Sequence, residues 1–220
     1  MSAKKPIRPT RAGTALLYAI GSLLYRLRFA VSVEPPPEIP EANAPLLFLV
    51  KHQSNYDAPL GFVLLRRYFR RNAYCLVKKI FAHPVFLGFF RNIGGIPVDR
   101  SRPEASKRDL LYARSVLYAG NALVIFPEQT RVPGKMGEGK AAGFRFITGK
   151  PEKPLSVISA GIRYEPGFPR RKVFIRFSPI RNYSRQDDPA LFMHERMKEI
   201  AELSGMEYPF PEPAGRARRG

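Results

Sequence analysis

The sequence predicts an α/β fold in which a mostly buried mixed sheet is flanked by helices. Short, continuous apolar runs alternate along the chain with segments of helical periodicity. Strands that are apolar throughout are typical of a sheet covered by helices on both faces. Hydrophobic residues make up 45% and charged residues 25% of the 220 residues, so the chain is globular and long enough to bury a sizeable core.

The first half of the fold is predicted from apolar runs bounded by turn residues. Residues 46–50, which are all apolar, form a buried strand, and the helical pattern of residues 56–69 follows it. Residues 73–77 form a second strand. Pro84 suits the first turn of a short helix that ends near residue 90, and residues 96–98 form a short extended piece.

The second half begins with a helix whose two ends carry their own signals. Ser101 and Glu104 match a capping box, Pro103 suits a first turn, and Gly120 is placed to end the helix. The remaining elements follow from the same periodicities: strands at 122–126, 155–164 and 172–177, and helices at 140–148 and 195–203.

The N-terminal 40 residues are predicted to be a basic amphipathic membrane-anchoring segment followed by a Pro-rich linker. Residues 1–33 contain no acidic side chain, and an apolar stretch at 15–25 lies between basic clusters, as in an interfacial helix. A signal peptide is disfavoured because arginines, and not a small-residue cleavage site, follow the stretch. A helix packed on the protein's own core is the alternative. The folded domain is expected over 41–208, and a basic, disordered tail over 209–220.

The charge of the chain predicts an anionic partner. There are 37 Lys and Arg against 18 Asp and Glu, a formal net charge of +19, which suits a membrane surface, nucleic acid or an acidic substrate. The sequence holds no zinc-finger pattern and no RNA-recognition signature, so we expect anionic lipid and no nucleic acid. No run of about 18 apolar residues is present, which predicts a monotopic or peripheral membrane protein. We expect it at the cytoplasmic face of the cell membrane.

A histidine and an aspartate follow the strand at 46–50, in the segment Lys51-His52-Gln53-Ser54-Asn55-Tyr56-Asp57. On a regular helix His52 and Asp57 would lie about 140° apart, so they can meet only if the chain turns between them. Ser54 or Asn55 as a helix N-cap would supply that turn. Asp57 could then orient one imidazole nitrogen and leave the other as a general base. Alternatively, Asp57 is only a capping acid and His52 a loop residue.

Two further polar blocks follow strands, where open α/β sheets place their sites. Gly94-Gly95-Ile96-Pro97-Val98-Asp99-Arg100 ends in an arginine that could reach an anionic ligand. Phe126-Pro127-Glu128-Gln129-Thr130-Arg131 presents a glutamate and a guanidinium suited to gripping phosphate. Surface ion pairs are the alternative for both arginines.

The three blocks, in this order and spacing, resemble the glycerolipid acyltransferase family, whose bacterial members include 1-acylglycerol-3-phosphate acyltransferases. The resemblance runs from about Leu46 to about Tyr164 and covers most of the predicted core. It departs at three positions. Asn55 stands where a bulky aromatic residue is common, Gln129 replaces a glycine, and Ser159 replaces a proline.

The resemblance implies an acyltransferase domain over 41–208 whose catalytic histidine and aspartate are His52 and Asp57. It also implies that Arg100 and Arg131 hold the phosphate of the acceptor and that Glu128 positions the acceptor or those arginines. A Val-Ala-Lys-like segment of the family falls on Leu76-Val77-Lys78, which makes Lys78 a further candidate for phosphate contact.

The implied reaction moves a fatty acyl group from acyl-CoA or acyl-carrier protein to a hydroxyl of a lysophospholipid such as 1-acylglycerol-3-phosphate. It needs a base and a stabilised oxyanion but no metal or redox cofactor, in keeping with one cysteine and three histidines. Two alternatives stay open: a catalytically silent lipid- or nucleic-acid-binding protein on the same fold, and a hydrolase in which His52 activates water. The lack of a Gly-x-Ser-x-Gly motif disfavours a serine hydrolase.

Overall fold

The computed structural model describes residues 9–71, 73–78, 89–99 and 103–213. Its helices are α1 (Arg11–Leu23), α2 (Asp57–Phe69), α3 (Pro103–Tyr118), α4 (Ala141–Thr148) and α5 (Pro189–Ser204), and a π-helical turn, Leu24–Arg28, follows α1. Its strands are β1 (Phe29–Glu34), β2 (Leu46–Val50), β3 (Ala73–Lys78), β4 (Gly95–Val98), β5 (Ala122–Ile125), β6 (Leu155–Glu165), β7 (Arg171–Phe177) and β8 (Arg181–Tyr183).

The described strands form one mixed sheet in the order β1-β7-β6-β2-β5-β3-β4, and β8 pairs with β6. The central strands are parallel: β2 pairs with β5 and β6, and β3 pairs with β5 and β4. The pairs of β6 with β7 and β8 are antiparallel, whereas β1 runs parallel to β7. The carboxyl ends of β2, β5, β3 and β4 therefore lie at the same edge of the sheet.

Apolar side chains cover both faces of the sheet, which confirms the predicted α/β class with a buried mixed sheet. Along β2, Leu47 and Leu49 belong to one core cluster and Leu46 and Phe48 to another, because successive residues of a strand face opposite sides. The first cluster includes side chains of α3, α4 and α5, and the second includes side chains of α2. These four residues are at most 1% exposed.

The N-terminal segment differs from the single interfacial helix that the sequence predicts. The helix α1 ends at Leu23, and residues 29–34 form β1, which pairs with β7 with Phe29 opposite Arg171. The alternation Phe-Ala-Val-Ser-Val-Glu is typical of a strand with one buried side, and Phe29 is only 1% exposed. The predicted segment 1–40 therefore contributes a strand to the same sheet as the domain at 41–208.

The helix α1 packs against α2 through small residues. A Cβ atom at Gly21 would lie 2.4 Å from Val63 Cγ2 and 2.5 Å from the Pro59 carbonyl oxygen, so only glycine allows this approach. At the other end Thr10 caps the helix by accepting the Gly13 N–H at 3.0 Å.

Within the described part of the chain, no helix has both the length and the apolar character needed to cross a membrane.

Other boundaries differ less from the predictions. The last helix begins at Pro189, because the Asp188 side chain caps it, and β8 was not predicted. The short helix predicted from Pro84 lies mostly outside the described residues, although residues 89–92 are helical. Of the predicted tail, residues 209–213 contain no helix or strand, and residues 214–220 lie outside the described part.

Candidate active site

The parallel strands bring the predicted blocks to one edge of the sheet. His52 follows β2 directly after Lys51, Glu128 lies just past β5, and Lys78 is the last residue of β3. Lys78 is exposed and lies opposite Val98 of β4 in the strand register. Arg100, the arginine predicted from the second block, lies outside the described residues. Its role stays a prediction.

His52 and Asp57 meet because the chain turns between them. Nδ1 of His52 lies 2.9 Å from Oδ2 of Asp57, which is the first residue of α2. The same carboxylate oxygen accepts the backbone N–H groups of Gln53 and Ser54, each at 2.7 Å. The turn is thus made by Asp57 itself, and neither Ser54 nor Asn55 is the N-cap as predicted: that position is Tyr56, whose side chain makes no capping bond.

The environment of Asp57 suits a negative charge. The residue is 2% exposed, and its two carboxylate oxygens face two backbone N–H groups, the His52 ring and the Tyr164 hydroxyl, which donates to Oδ1 at 2.7 Å. It also lies in the first turn of α2, where the helix dipole favours an anion. The two backbone N–H groups, the tyrosine hydroxyl and the helix dipole together offset the cost of burying the carboxylate.

The His52 ring is held on two sides while its side chain keeps 18% of its surface exposed. It stacks on the Phe126 ring with centroids 4.2 Å apart. When Nδ1 donates to Asp57, Nε2 becomes the ring nitrogen that can accept a proton. The backbone of His52 is also fixed, because its carbonyl oxygen accepts the Val132 N–H at 2.9 Å.

Glu128 has partners other than those predicted for it. Its side chain is 1% exposed and pairs with Lys51, whose Nζ lies 2.7 Å from Oε1 and 2.9 Å from Oε2. Oε2 also accepts the His52 N–H at 3.0 Å, and Oε1 accepts the Gly137 N–H at 2.6 Å. Among the described residues, then, Glu128 contacts no arginine. It braces the backbone of His52.

Lys51 was not singled out by the sequence analysis. It is fully buried, and its Nζ also donates to the Val132 carbonyl oxygen at 2.9 Å. Burial lowers the pKa of Lys51, and the hydrogen bond and negative charge of Glu128 oppose that shift. Its position directly after a fully apolar strand could have indicated that Lys51 is buried. A buried ammonium needs an anionic partner, so this position could also have indicated an ion pair.

Arg131 lies beside the turn that holds His52 and Asp57. Its Nη1 donates to Oδ1 of Asn55 at 2.8 Å, and both side chains are exposed. Asn55 is one of the three departures from the family pattern, and here it orients the guanidinium. The arginine is therefore available to an anion in solvent while one of its donors is already engaged.

The other two departures have different structural consequences. Gln129 adopts a φ of 59°, in the left-handed region that favours glycine, so a glutamine at this position carries backbone strain. Ser159 is fully buried in β6, and its backbone N–H donates to Ser178 Oγ at 2.9 Å. A proline at position 159 has no N–H and could not make that bond.

A largely apolar cavity of about 300 Å³ lies near the site. Phe126, whose ring stacks on His52, is one of its lining residues, whereas His52 itself is not. The polar residues of the lining are Asp99, Ser106, Lys107, Gln129 and Lys140. The apolar part comes from the sheet edge and from α3 and α4, with Leu76, Val98, Leu110, Ile125, Phe144 and Ile147.

Within the described part of the chain, no cluster of three or more His, Cys, Asp or Glu side chains could hold a metal ion. The site consists instead of a buried carboxylate and a part-exposed imidazole, with a guanidinium beside them. Such an arrangement can take a proton from a hydroxyl group and can attract an anion.

Comparisons with known proteins agree with the predicted family and with the fold. A family model described as Acyltransferase matches residues 30–154, which is more than half of the chain. A crystal structure of the 1-acyl-sn-glycerophosphate (LPA) acyltransferase PlsC from Thermotoga maritima has a similar fold, with a TM-score of 0.59 and 20% identity, over 86% of this chain and 79% of that chain. No curated protein matches in sequence. The matched residues include β2, which precedes His52, and β5, which precedes Glu128, and they end just before β6. The chain belongs to the glycerolipid acyltransferases.

Proposed function

We propose that the protein transfers a fatty acyl group from an acyl thioester to a free hydroxyl of a lysophospholipid related to 1-acylglycerol-3-phosphate. The contact between His52 Nδ1 and Asp57 Oδ2, at 2.9 Å, carries the proposal. It sets the tautomer of the part-exposed His52 ring. That ring stacks on Phe126, which lines the apolar cavity, and the Arg131 guanidinium binds Asn55 in the same turn. A base, a place for an acyl chain and an anion-binding side chain are three of the features that this reaction needs, besides stabilisation of the oxyanion.

In the proposed reaction, Nε2 of His52 removes the proton from the acceptor hydroxyl. The oxygen attacks the thioester carbonyl carbon, and the tetrahedral intermediate then collapses with cleavage of the carbon–sulfur bond. The proton on His52 passes to the departing sulfur, so the products are an ester and a free thiol. Asp57 stabilises the imidazolium that exists between the two proton transfers.

Arg131, with Arg100 and Lys78, is proposed to hold the acceptor phosphate. Support comes from the Arg131–Asn55 hydrogen bond, which places a guanidinium beside the segment that contains His52 and Asp57. A guanidinium binds phosphate oxygens in pairs, whereas a lysine acts as a point charge. Glu128 is proposed to act indirectly, through the backbone of His52, because its carboxylate is already engaged with Lys51 and two N–H groups.

The acyl chain is proposed to occupy the apolar cavity behind Phe126. Transfer of the chain's methylene groups from water to an apolar surface contributes about 0.8 kcal/mol each. The donor is proposed to be acyl-CoA or acyl-carrier protein, since both are acidic and the chain carries a net charge of +19. No cofactor takes part.

A membrane surface is proposed as the source of the lipid acceptor. The exposed side of α1 carries Leu16, Ile20 and Leu23, and Leu27 follows in the π-helical turn with 69% of its surface exposed. Exposed arginines lie on either side of Leu27. Apolar side chains beside cations fit an anionic bilayer surface, so we propose that the protein lies on the cytoplasmic face of the membrane without crossing it.

An acyl-transfer assay with the full chain tests the function. Purified protein is incubated with acyl-CoA or acyl-carrier protein and with 1-acylglycerol-3-phosphate in anionic vesicles, and the diacyl product and free thiol are measured. His52→Ala and Asp57→Asn should lower kcat by about 100-fold or more, while His194→Gln, a change in a histidine of α5, should not.

Full activity of His52→Ala would refute the mechanism. If the wild-type protein binds vesicles without releasing thiol, it is a silent lipid-binding protein. Thiol release without a diacyl product would mean a hydrolase.

A further inference from the structure

Tyr164, near the end of β6, contacts the buried carboxylate of Asp57. In the sheet β6 lies on one side of β2, and β5 lies on the other. The strand β6 runs parallel to β2, with Ala160 opposite Val50, so its last residues extend past the end of β2. There the Tyr164 hydroxyl lies 2.7 Å from Oδ1 of Asp57. The other carboxylate oxygen, Oδ2, faces His52.

The phenol is the donor in this hydrogen bond. Burial raises the pKa of Tyr164, and the negative charge of Asp57 raises it further, so the hydroxyl keeps its proton. The ring is also fixed: it meets the Phe29 ring edge to face at a centroid distance of 5.8 Å, and the Arg171 guanidinium lies 5.2 Å from its centroid. The hydroxyl therefore has little freedom to turn away from Asp57.

We propose that Tyr164 is a positioning residue for the His52–Asp57 pair, which orients the carboxylate and draws negative charge from Oδ2 towards Oδ1. The effect of Tyr164 on the imidazole does not depend on the proposed function. Only its consequence for catalysis rests on that function. With less charge on Oδ2, Asp57 holds the protonated ring of His52 less strongly. The imidazolium then releases its proton more readily in the second half of the reaction.

Other charged groups also face this carboxylate and the imidazole. Lys51 at the end of β2 interacts electrostatically with Asp57, and Arg171 of β7 lies over the tyrosine ring. Glu128, past β5, accepts the backbone N–H of His52. A change of Tyr164 to phenylalanine leaves all of these in place, so a difference between the two proteins reports on the hydroxyl.

The test follows the ring protons of His52 by NMR as pH is varied, in the full-length protein without substrate. Tyr164→Phe keeps the aromatic ring but removes the donor, and it should raise the titration midpoint of His52 by roughly half a pH unit, about a threefold change in proton affinity. The control is Tyr118→Phe, which removes a hydroxyl that donates to the Thr148 carbonyl oxygen at 2.6 Å on another part of the fold. That variant should leave the midpoint unchanged.

A second variant reverses the expected sign. A 3-fluorotyrosine incorporated at position 164 has a more acidic phenol, donates more strongly and should lower the His52 midpoint. Equal midpoints in all the proteins would overturn the proposal, whatever the variants do to thermal stability. The NMR titration needs no turnover, so it can be read separately from the acyl-transfer assay. If the wild-type protein has no acyltransferase activity but the midpoint of His52 shifts as expected, the proposed function is refuted and the role of Tyr164 is supported.

Discussion

The buried ammonium of Lys51 and the carboxylate of Glu128 form an ion pair at 2.7 Å, although 77 positions separate them in the chain. The pair joins the end of β2 to the loop after β5, because Glu128 accepts the His52 N–H and Lys51 donates to the Val132 carbonyl oxygen. A buried ion pair contributes little net stability compared with apolar residues of similar size, but removal of one partner leaves the other charge uncompensated.

Lys51→Met should therefore lower the free energy of unfolding by about 3–5 kcal/mol, measured by equilibrium urea unfolding. Glu128→Gln should also destabilise the protein, and the double variant should cost clearly less than the sum of the two. Glu34→Gln is the matched control, since it breaks the exposed Glu34–Arg176 pair and should cost less than about 1 kcal/mol. Additive losses from Lys51 and Glu128 would contradict a direct pairing.

The Asn55–Arg131 hydrogen bond leads to a prediction about the acceptor. Arg131→Ala and Arg100→Ala should raise KM for a phosphorylated acceptor by about tenfold or more, and Arg131→Lys should restore it only in part, because a point charge lacks the fork of donors. Asn55→Ala should raise KM by about threefold, since the guanidinium remains but is no longer oriented. The comparison is KM for the same lysolipid without its phosphate, which should not change.

If neither alanine variant alters the preference for a phosphorylated acceptor, the phosphate binds elsewhere. Equal KM values for the two acceptors in the wild-type protein would show that the acceptor needs no phosphate. Both results come from the same steady-state measurement.

Gly143 of α4 lines the apolar cavity and has no heavy atom within 4 Å of the position its Cβ would occupy. Gly143→Leu should therefore fold, fill part of the cavity and shift the preference towards shorter acyl donors. Gly61→Leu on α2 is the matched control. A Cβ at Gly61 would also have no heavy atom within 4 Å, but Gly61 does not line the cavity. Competition between acyl-CoA chain lengths in one reaction measures the shift. An unchanged preference would place the acyl chain outside this cavity.

The apolar side of α1 predicts how the protein binds vesicles. Leu23→Ser together with Leu27→Ser should weaken sedimentation with anionic vesicles by about tenfold or more, since each leucine contributes roughly 1.5–3 kcal/mol when buried. Leu111→Ser on α3 is the control, because Leu111 is 43% exposed on another surface. Point changes are needed here, because removal of residues 1–33 would also remove most of β1 and its buried Phe29.

High salt should release the wild-type protein from these vesicles only in part, since the apolar contribution is not screened. Full sedimentation of the double leucine variant would mean that another surface binds the membrane. The segment 163–185 contains seven basic residues and one acidic residue, Glu165, and its basic side chains would then be the next to change.

The elements that the sequence analysis placed well are those with strong local periodicity. The all-apolar run of β2 and the two residues that bound α3, Pro103 at its start and Gly120 after its end, depend on neighbouring residues, so they can be read without the rest of the chain. The predicted cap residue Ser101 lies outside the described residues. The strand β1 was missed because all residues before the Pro-rich linker were assigned to the membrane-anchoring segment. Its alternation of apolar and polar residues was the contrary signal.

The α/β class, the order of the polar blocks and the need for a turn between His52 and Asp57 can all be read from local sequence. The binding of Glu128 to Lys51 and the contact of Tyr164 with Asp57, 107 positions away, depend on how the strands are arranged in the fold. These two kinds of feature differ in the range of the interactions behind them. Periodicity reports which side of an element is buried, whereas contacts between distant residues depend on strand order. Here β2 lies between β5 and β6, parallel to both, and this arrangement brings Glu128 and Tyr164 to the same end of the strand.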